Sequence, residues 1–502
     1  MKKLLSLMLC IIFVSFALVS CAEDIIGDYL PNYNTNTVTD DEVEKLNFYI
    51  ITGDSTAADA KTTVPQNINA YLKERYKIEL NIVYCTEAEY NTTLRAAMNN
   101  TDETKRPDII LINNKMLFDT LYVEDSLVAL NSFYNHRDFR SINTIVDDVL
   151  LSASAIVDPE TGISTYYSVP NNHVIGEYKY VVIDKAMARD ILHFSNSKIE
   201  AMTTEASLTE LKEAIGAYYD TNGASSGLTK DEYVGQYVKI VSGDYDDKLL
   251  LEHGVESEDE ITSSVTKNIV NVNSYPTATK DEAFLSAFAI VKHLDDTDNN
   301  SEEHQSILTK HYTKCMKIIY ALNTDVQFKN MLQYGFSGTN YKYVKDEKQQ
   351  NTNYVNLITT GAVVYEMNPI HTGNLFISYY CEEIGWNEQV HSNILRQNAD
   401  AKTETQKTST ELKNVLEVLE SVVTADSSVV VNLPLYGTTY SDVVITWTSN
   451  SEYAVVAPDG TLTFVSPDKN TTVTLSMSFE INGVTTGSGN FEITILPDAT
   501  NE

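Results

Sequence analysis

Tryptophan, cysteine and basic residues are all scarce: 502 residues carry 2 Trp, 5 Cys and 36 Lys plus Arg against 70 Asp plus Glu. The formal charge of −34 excludes broad contact with phosphate backbones, which requires Lys and Arg to neutralise them, so no nucleic-acid partner is expected. Beyond Cys10 and Cys21 near the N-terminus, only Cys85, Cys315 and Cys381 remain, odd in number and far apart. No disulfide framework is implied, although one bridge stays open. With 20 Gly and 11 Pro the chain is neither collagen-like nor low-complexity, and its 43% hydrophobic content suits globular domains. The motifs HExxH, CxxC, GxSxG, GxGxxG and the Walker loop are missing, so no cofactor, metal site or catalytic residue is expected. The acidic run Asp295 to Asn300 fails as a calcium loop, since counting from Asp296 puts Ser301 at the glycine position and Ile307 at the glutamate position. With 70 carboxylates, paired acids carry no weight without geometry.

What is present begins with an address. Lys2 and Lys3 precede an apolar run from Leu4 to Val19, which is shorter than the roughly 20 residues that span a bilayer and reads as a secretion signal over residues 1–20. The tetrad Leu18-Val19-Ser20-Cys21 resembles the bacterial lipobox, in which the Cys is lipidated and becomes the first residue. Two acyl chains on Cys21 would anchor the protein stably at the extracellular face of the cytoplasmic membrane. No second long apolar run follows, and residues 21–43, rich in Asp, Asn and Thr, read as a polar tether.

At about 150 residues per domain the length predicts two to four domains. Leu46 to Thr52, Ile78 to Tyr84 and Ile109 to Ile112 have strand patterns, and the stretches around Val64, Ile68, Leu72, Tyr76 and around Tyr90, Leu94, Ala97 have helical spacing. The resulting βαβαβ order predicts an open α/β sheet whose ligands bind outside the carboxyl ends of the strands. Thr52, Asp54, Ser55, Asn113 and Asn114 sit at such ends. Tyr166 to Pro170 and Glu177 to Asp184 read as extended connectors crossing to another domain, and capping boxes are expected at Ser207/Glu210 and Thr279/Glu282. Tyr365 to Asn374, with Asn368 and His371, is read as returning the chain to the crevice. A helix over 401–424 then leads to six or seven short strands in 425–502, with turns at Pro458-Asp459-Gly460 and Asn482-Gly483, which predicts a β-sandwich with Trp447 in its core.

The lipobox, the βαβ opening, the strand PDIILINN and the crossover YYSVPNNHVIGEYKYVVIDKAM resemble the extracellular solute-binding proteins of bacterial ABC importers, in the class of maltodextrin-binding protein. The blocks FKNMLQYGFSGTNYKY and YEMNPIHTGN are similar to recurrent blocks of its lipoprotein members. The tail, ITWTSNSEYAVVAPDGTLTF, resembles a bacterial immunoglobulin-like repeat. The resemblance covers residues 44–400 and implies an α/β, two-lobed periplasmic-binding-protein-like fold with a hinge, plus a C-terminal all-β immunoglobulin-like sandwich. Lobe 1 would be about 44–170, lobe 2 mainly about 177–360, and 361–400 a return segment. It also implies that the crossover residues Asn172, His173, Glu177 and Tyr178 line the cleft.

The aromatic balance, 31 Tyr and 15 Phe, bears on the ligand, because sugar rings pack their C–H faces on aromatic rings while their hydroxyls need polar partners. Tyr178, Tyr334, Tyr341 and Tyr365 lie in candidate cleft blocks beside Asn or Glu, His173 and His371 are candidate hydrogen-bonders, and Trp386 is a further stacking candidate. The expectation is a monomeric, lipid-anchored receptor that captures a sugar or oligosaccharide and delivers it to an ABC permease without catalysing a reaction. A surface adhesin or scaffold acting through the immunoglobulin-like domain is the alternative, and a glycan hydrolase the weaker one.

Overall fold

A computed structural model describes residues 43–498, apart from 224–225, 256, 258–259, 262–264, 293–301 and 345–352. The signal, Cys21, nearly all of the tether and the acidic run at 295–300 lie outside the described residues. In chain order come β1 (Glu44–Ile51), α1 (Ala58–Tyr76), β2 (Ile78–Cys85), α2 (Glu87–Met98), β3 (Ile109–Ile112), α3 (Lys115–Val123) and β4 (Val169–Pro170). They are followed by β5 (Tyr178–Asp184), β6 (Val238–Gly243), β7 (Asn268–Ser274), β8 (Thr277–Ala278), β9 (Ala287–Ile290), α4 (Glu302–Thr324), α5 (Val326–Tyr334), β10 (Lys402–Thr403) and α6 (Glu404–Leu419).

The chain divides into two compact units. The first comprises residues up to Val146, Ser154–His173 and Phe284–Glu388; the second comprises Asp147–Ala153, Val174–Ala283 and Gln389–Glu502. Residues 284–388, of which the resemblance assigns those up to about 360 to the second lobe, fall in the first unit. The reason is β9, which inserts antiparallel between β3 and β4.

In the first unit one sheet has the order β2-β1-β3-β9-β4. β1 runs parallel to β2 in unbroken register from Glu44↔Ile78 to Ile51↔Cys85, and parallel to β3. Ile109 to Ile112 are all fully buried, as expected of a strand covered on both faces. Because β9 is antiparallel to both β3 and β4, β4 points the same way as β1, β2 and β3. The carboxyl ends of these four strands, together with the amino end of β9, therefore share one edge.

In the second unit β5 is the centre of an antiparallel sheet, β6-β5-β7. The period of two sends Val181 and Ile183 to one face, where they meet Met187, Leu211 and Ile215, and Tyr178, Tyr180 and Val182 to the other, where they meet Val270, Val241 and Tyr245. The segment read as a connector is thus the most buried strand of that sheet.

The C-terminal strands are β11 (Thr424–Ala425), β12 (Val430–Asn432), β13 (Val444–Ser449), β14 (Ala454–Val456), β15 (Thr461–Phe464), β16 (Thr471–Ile481) and β17 (Val484–Ile495). They form a sandwich of the sheets β11-β17-β16-β13 and β12-β15-β14. Asn482 and Gly483 both have positive φ, the conformation a two-residue turn between β16 and β17 demands. Trp447 is buried in the core and donates to the Pro434 carbonyl at 2.8 Å, as the sequence predicts. Val415, Leu419 and Val422, which precede the sandwich, also belong to that core.

Candidate functional site

The carboxyl edge of the first unit's sheet collects polar loops from five strands. After β1, the Gly53 N–H donates to the Glu366 carbonyl at 2.9 Å, the Thr56 hydroxyl donates to the same carbonyl at 2.9 Å, and Ser55 donates to the Glu366 carboxylate. Thr52 is buried and donates to Thr56 at 2.9 Å, while Asp54 is exposed. A Cβ on Gly53 would lie 2.7 Å from Cδ of Glu366, so a glycine is what allows this carboxylate to lie across the end of β1. After β2 and β3, Asn113 donates to Glu87 at 2.7 Å, and Asn114 caps α3 by accepting from the Leu117 N–H at 2.8 Å.

After β4, the Asn171 side chain donates to Ser286 Oγ at 2.9 Å and to the Ile370 carbonyl at 3.0 Å. Asn172 donates to the Ile145 carbonyl at 2.7 Å, and its own carbonyl accepts from the Leu375 N–H at 3.1 Å. These bonds fasten residues 366–375 along the edge. Asn368 is exposed and caps the short turn Pro369–Thr372 through the Ile370 N–H. His371 is 7% exposed and His173 1%. Burial, with His173 nearby, pushes the His371 imidazole down to about 4, so it is neutral near pH 7, one ring nitrogen a donor and the other an acceptor.

Two buried atoms in this row have no hydrogen-bond partner in the protein: Nδ1 of His371 and Oδ1 of Asn171. Buried polar atoms are nearly always paired, so these two have capacity left for a polar group that reaches them. The surrounding groups are carboxylates, amides and hydroxyls. Lys115, which follows the Asn113-Asn114 pair, is committed to Asp119.

The structure brings Thr52, Asp54, Ser55, Asn113, Asn114, Asn172, His173, Asn368 and His371 to this one edge. It places the other candidates elsewhere. Glu177 is exposed in the second unit, and the buried Tyr178 beside it donates to Asp400 at 2.8 Å, its phenol pushed up by burial and by that carboxylate. Tyr334 donates to the Tyr379 carbonyl at 2.7 Å, Tyr341 to Tyr343 at 3.1 Å and Tyr365 to the Leu332 carbonyl at 2.8 Å, with all three rings inside the first unit. Trp386 is buried as well. These aromatics build interior rather than a stacking face. Missed in the sequence were Glu87, Asn171, Ser286 and Glu366; only Asn171 and Glu366, lying inside blocks already singled out, carried a signal.

Cys85, Cys315 and Cys381 are buried and unbridged. Among the described residues no group of three or more His, Cys, Asp or Glu could hold a metal ion, and no helix is long and apolar enough to cross a membrane.

An open α/β sheet with polar loops at its carboxyl edge, a second α/β unit reached by repeated passage of the chain, and a terminal all-β sandwich define the class: a periplasmic-binding-protein-like α/β fold. No family model and no curated protein matches the sequence. Among solved structures, the chain is similar to the N-glycan transport solute binding protein of Streptococcus pneumoniae, at 14% identity over 75% of this chain and 89% of that one, with a TM-score of 0.42. It is similar also to the bacterial solute receptor AcbH, at 8% identity over 59% and 79% with a TM-score of 0.30, and to iron-bound HitA from Pseudomonas aeruginosa, at 9% over 71% and 99% with a TM-score of 0.21.

Proposed function

We propose that the chain is a solute receptor that captures a neutral sugar or oligosaccharide at the carboxyl edge of its first unit. One observation carries this: the unpartnered Nδ1 of His371 and Oδ1 of Asn171, both buried, with a neutral imidazole among hydroxyls, amides and carboxylates. A neutral imidazole and an amide oxygen match a sugar hydroxyl, which both donates and accepts, whereas the nearby carboxylates would repel an anion. The lipobox at Cys21 supports a lipid anchor outside the cytoplasmic membrane, and the fuller reading adds closure of the two units over the ligand and delivery to an ABC permease. Nothing in this chemistry requires a reaction.

The test is a thermal-shift and calorimetric screen of the chain from Ala22 onward against neutral saccharides, sugar phosphates, amino acids and short peptides. A ligand at 100 times its Kd should stabilise the protein by about 2.7 kcal/mol. One class of neutral saccharide is expected to do so, with the effect lost in His371→Ala. Because His371 titrates near 4, the affinity is expected to stay flat between about pH 5 and pH 8, where an ordinary histidine would change charge. A shift only with anionic solutes, or with no saccharide at all, would sink the reading.

A further inference from the structure

From Phe328 to Tyr334 every residue of α5 is buried, and three of the seven, Lys329, Asn330 and Gln333, are polar. Their side chains point at the segment that carries the site. Asn330 donates to the Ile377 carbonyl at 2.9 Å and accepts from the Tyr379 N–H at 2.7 Å. Gln333 accepts from Ser378 at 2.8 Å. Lys329, with no exposure, donates to the Pro369 carbonyl at 3.0 Å, to Thr372 Oγ1 at 2.8 Å and to Gln333 Oε1. An ammonium has three donors, and here each finds an acceptor.

No carboxylate is among those acceptors, and burial alone drives the amine's pKa well below its ordinary value. A methionine or leucine would fill the same volume without that desolvation, so packing does not account for a lysine here. What the protonated amine supplies is three N–H donors in fixed directions. Two of them end on Pro369 and Thr372, the two ends of the turn in which His371 sits.

Resting on the reading of the carboxyl edge as the ligand site, we infer that Lys329 is a positioning residue, setting the Pro369–Thr372 turn so that His371 presents its unpartnered nitrogen to the ligand. The turn has a second fastening, the Asn171 and Ser286 side chains on the Ile370 carbonyl, at 3.0 and 2.6 Å. Loss of Lys329 should therefore loosen the turn without unfolding the unit.

The experiment compares Lys329→Met and Thr372→Val with the parent chain by hydrogen exchange, by NMR titration of the His371 ring and by binding of the same saccharide panel. Thr372→Val keeps the lysine and removes one acceptor, so it decides the matter if Lys329→Met fails to fold. In the parent the His371 and Asn374 amides donate to the Asn368 and Leu322 carbonyls. Both amides should exchange at least tenfold faster in the variants, while the amide of Tyr379, held by Asn330, is unaffected. The His371 titration should move from about 4 toward the ordinary value near 6.5 as the turn admits water. Saccharide affinity should fall at least tenfold. Unchanged exchange and an unchanged titration in both variants would overturn the positioning role. Faster exchange in variants of a protein that binds no saccharide in any form would uphold the positioning role and defeat the sugar reading.

Discussion

Asp442→Ala should destabilise the second unit by about 3–5 kcal/mol, the cost of leaving a buried charge without its partner. Lys407 has no exposure, and its ammonium donates to Asp442 Oδ2 at 2.7 Å, to the Tyr275 carbonyl at 2.8 Å and to Thr277 Oγ1 at 2.8 Å. Burial pushes its pKa down, and Asp442 is the first of the groups that counter this. Without Asp442 two neutral acceptors remain for a desolvated cation. Denaturant titration should show the loss as a lower midpoint. The double variant Lys407→Met with Asp442→Ala should recover most of the stability, because it removes the charge along with its partner; a double variant no better than the single one would rule out the unpaired charge as the cause.

The same neighbourhood decides whether the sandwich stands alone. The Glu411 carboxylate, 1% exposed, accepts from the N–H groups of Thr438, Thr439 and Tyr440 at 2.8, 2.8 and 2.7 Å. Ser441 donates to the Asn273 carbonyl on β7. The loop 438–442 is thereby fixed to α6 on one side and to the β7–β8 region on the other, while Val415 and Leu419 of α6 complete the sandwich core. A fragment starting at residue 425 would lack those two side chains. The destabilisation from Asp442→Ala is accordingly expected in the β5 sheet and the sandwich together, at one denaturant midpoint.

How much of this could be read from residues alone follows from where each signal resides. Local periodicity carried β1, β2 and β3, and local turn chemistry carried Asn482-Gly483, because side-chain alternation and positive φ are properties of neighbours in sequence. β9 could not be read this way: Ala287 to Ile290 is four buried residues with no pattern, and its partners β3 and β4 are more than 100 residues away. The capping box expected at Ser207/Glu210 gave way to a competing local bond, Ser207 with Thr204, whereas Thr279 does accept from the Glu282 N–H at 3.2 Å. Asn113 and Asn114 were legible from the topology rule, whereas Asn172 and His173 came only with the resemblance of the crossover block. The tyrosines were not, since a phenol that ends on a carbonyl in the interior and one that faces a ligand have the same composition around them. Glu366 needed a contact with Gly53 across the whole first unit, which no window of sequence contains.

Raising the pH from about 7 to 9 should weaken the first unit by about 1–3 kcal/mol through a single group at the opposite edge of its sheet. His311 on α4 contacts Glu44 Oε1 through Nδ1 at 2.7 Å and Asp108 Oδ1 through Nε2 at 3.1 Å. Glu44 opens β1 and Asp108 immediately precedes β3, so the imidazolium ties the amino ends of two strands to the helix. Burial by itself would lower the pKa, but hydrogen bonds to Asp108, Cys315 and Glu44 outweigh it and carry it up to about 12. The unfolded chain releases this proton near 6.5. Below that pH both states hold it and the contribution is complete; between about 6.5 and 12 the folded state binds more protons, so stability falls as pH rises, by at most about 1.4 kcal/mol per pH unit. Cys315, whose thiol burial raises to about 11, adds a loss of the same sign only above its unfolded value near 8.5, so the slope between about pH 6.5 and 8 belongs to His311. Denaturant titrations of the parent and of His311→Asn at matched pH values isolate the term. The parent's stability should decline with pH while the variant, less stable at pH 6.5, shows a flatter line that approaches it. Parallel lines would mean that His311 is not held charged, and the clamp between β1, β3 and α4 would then have to rest on neutral hydrogen bonds alone.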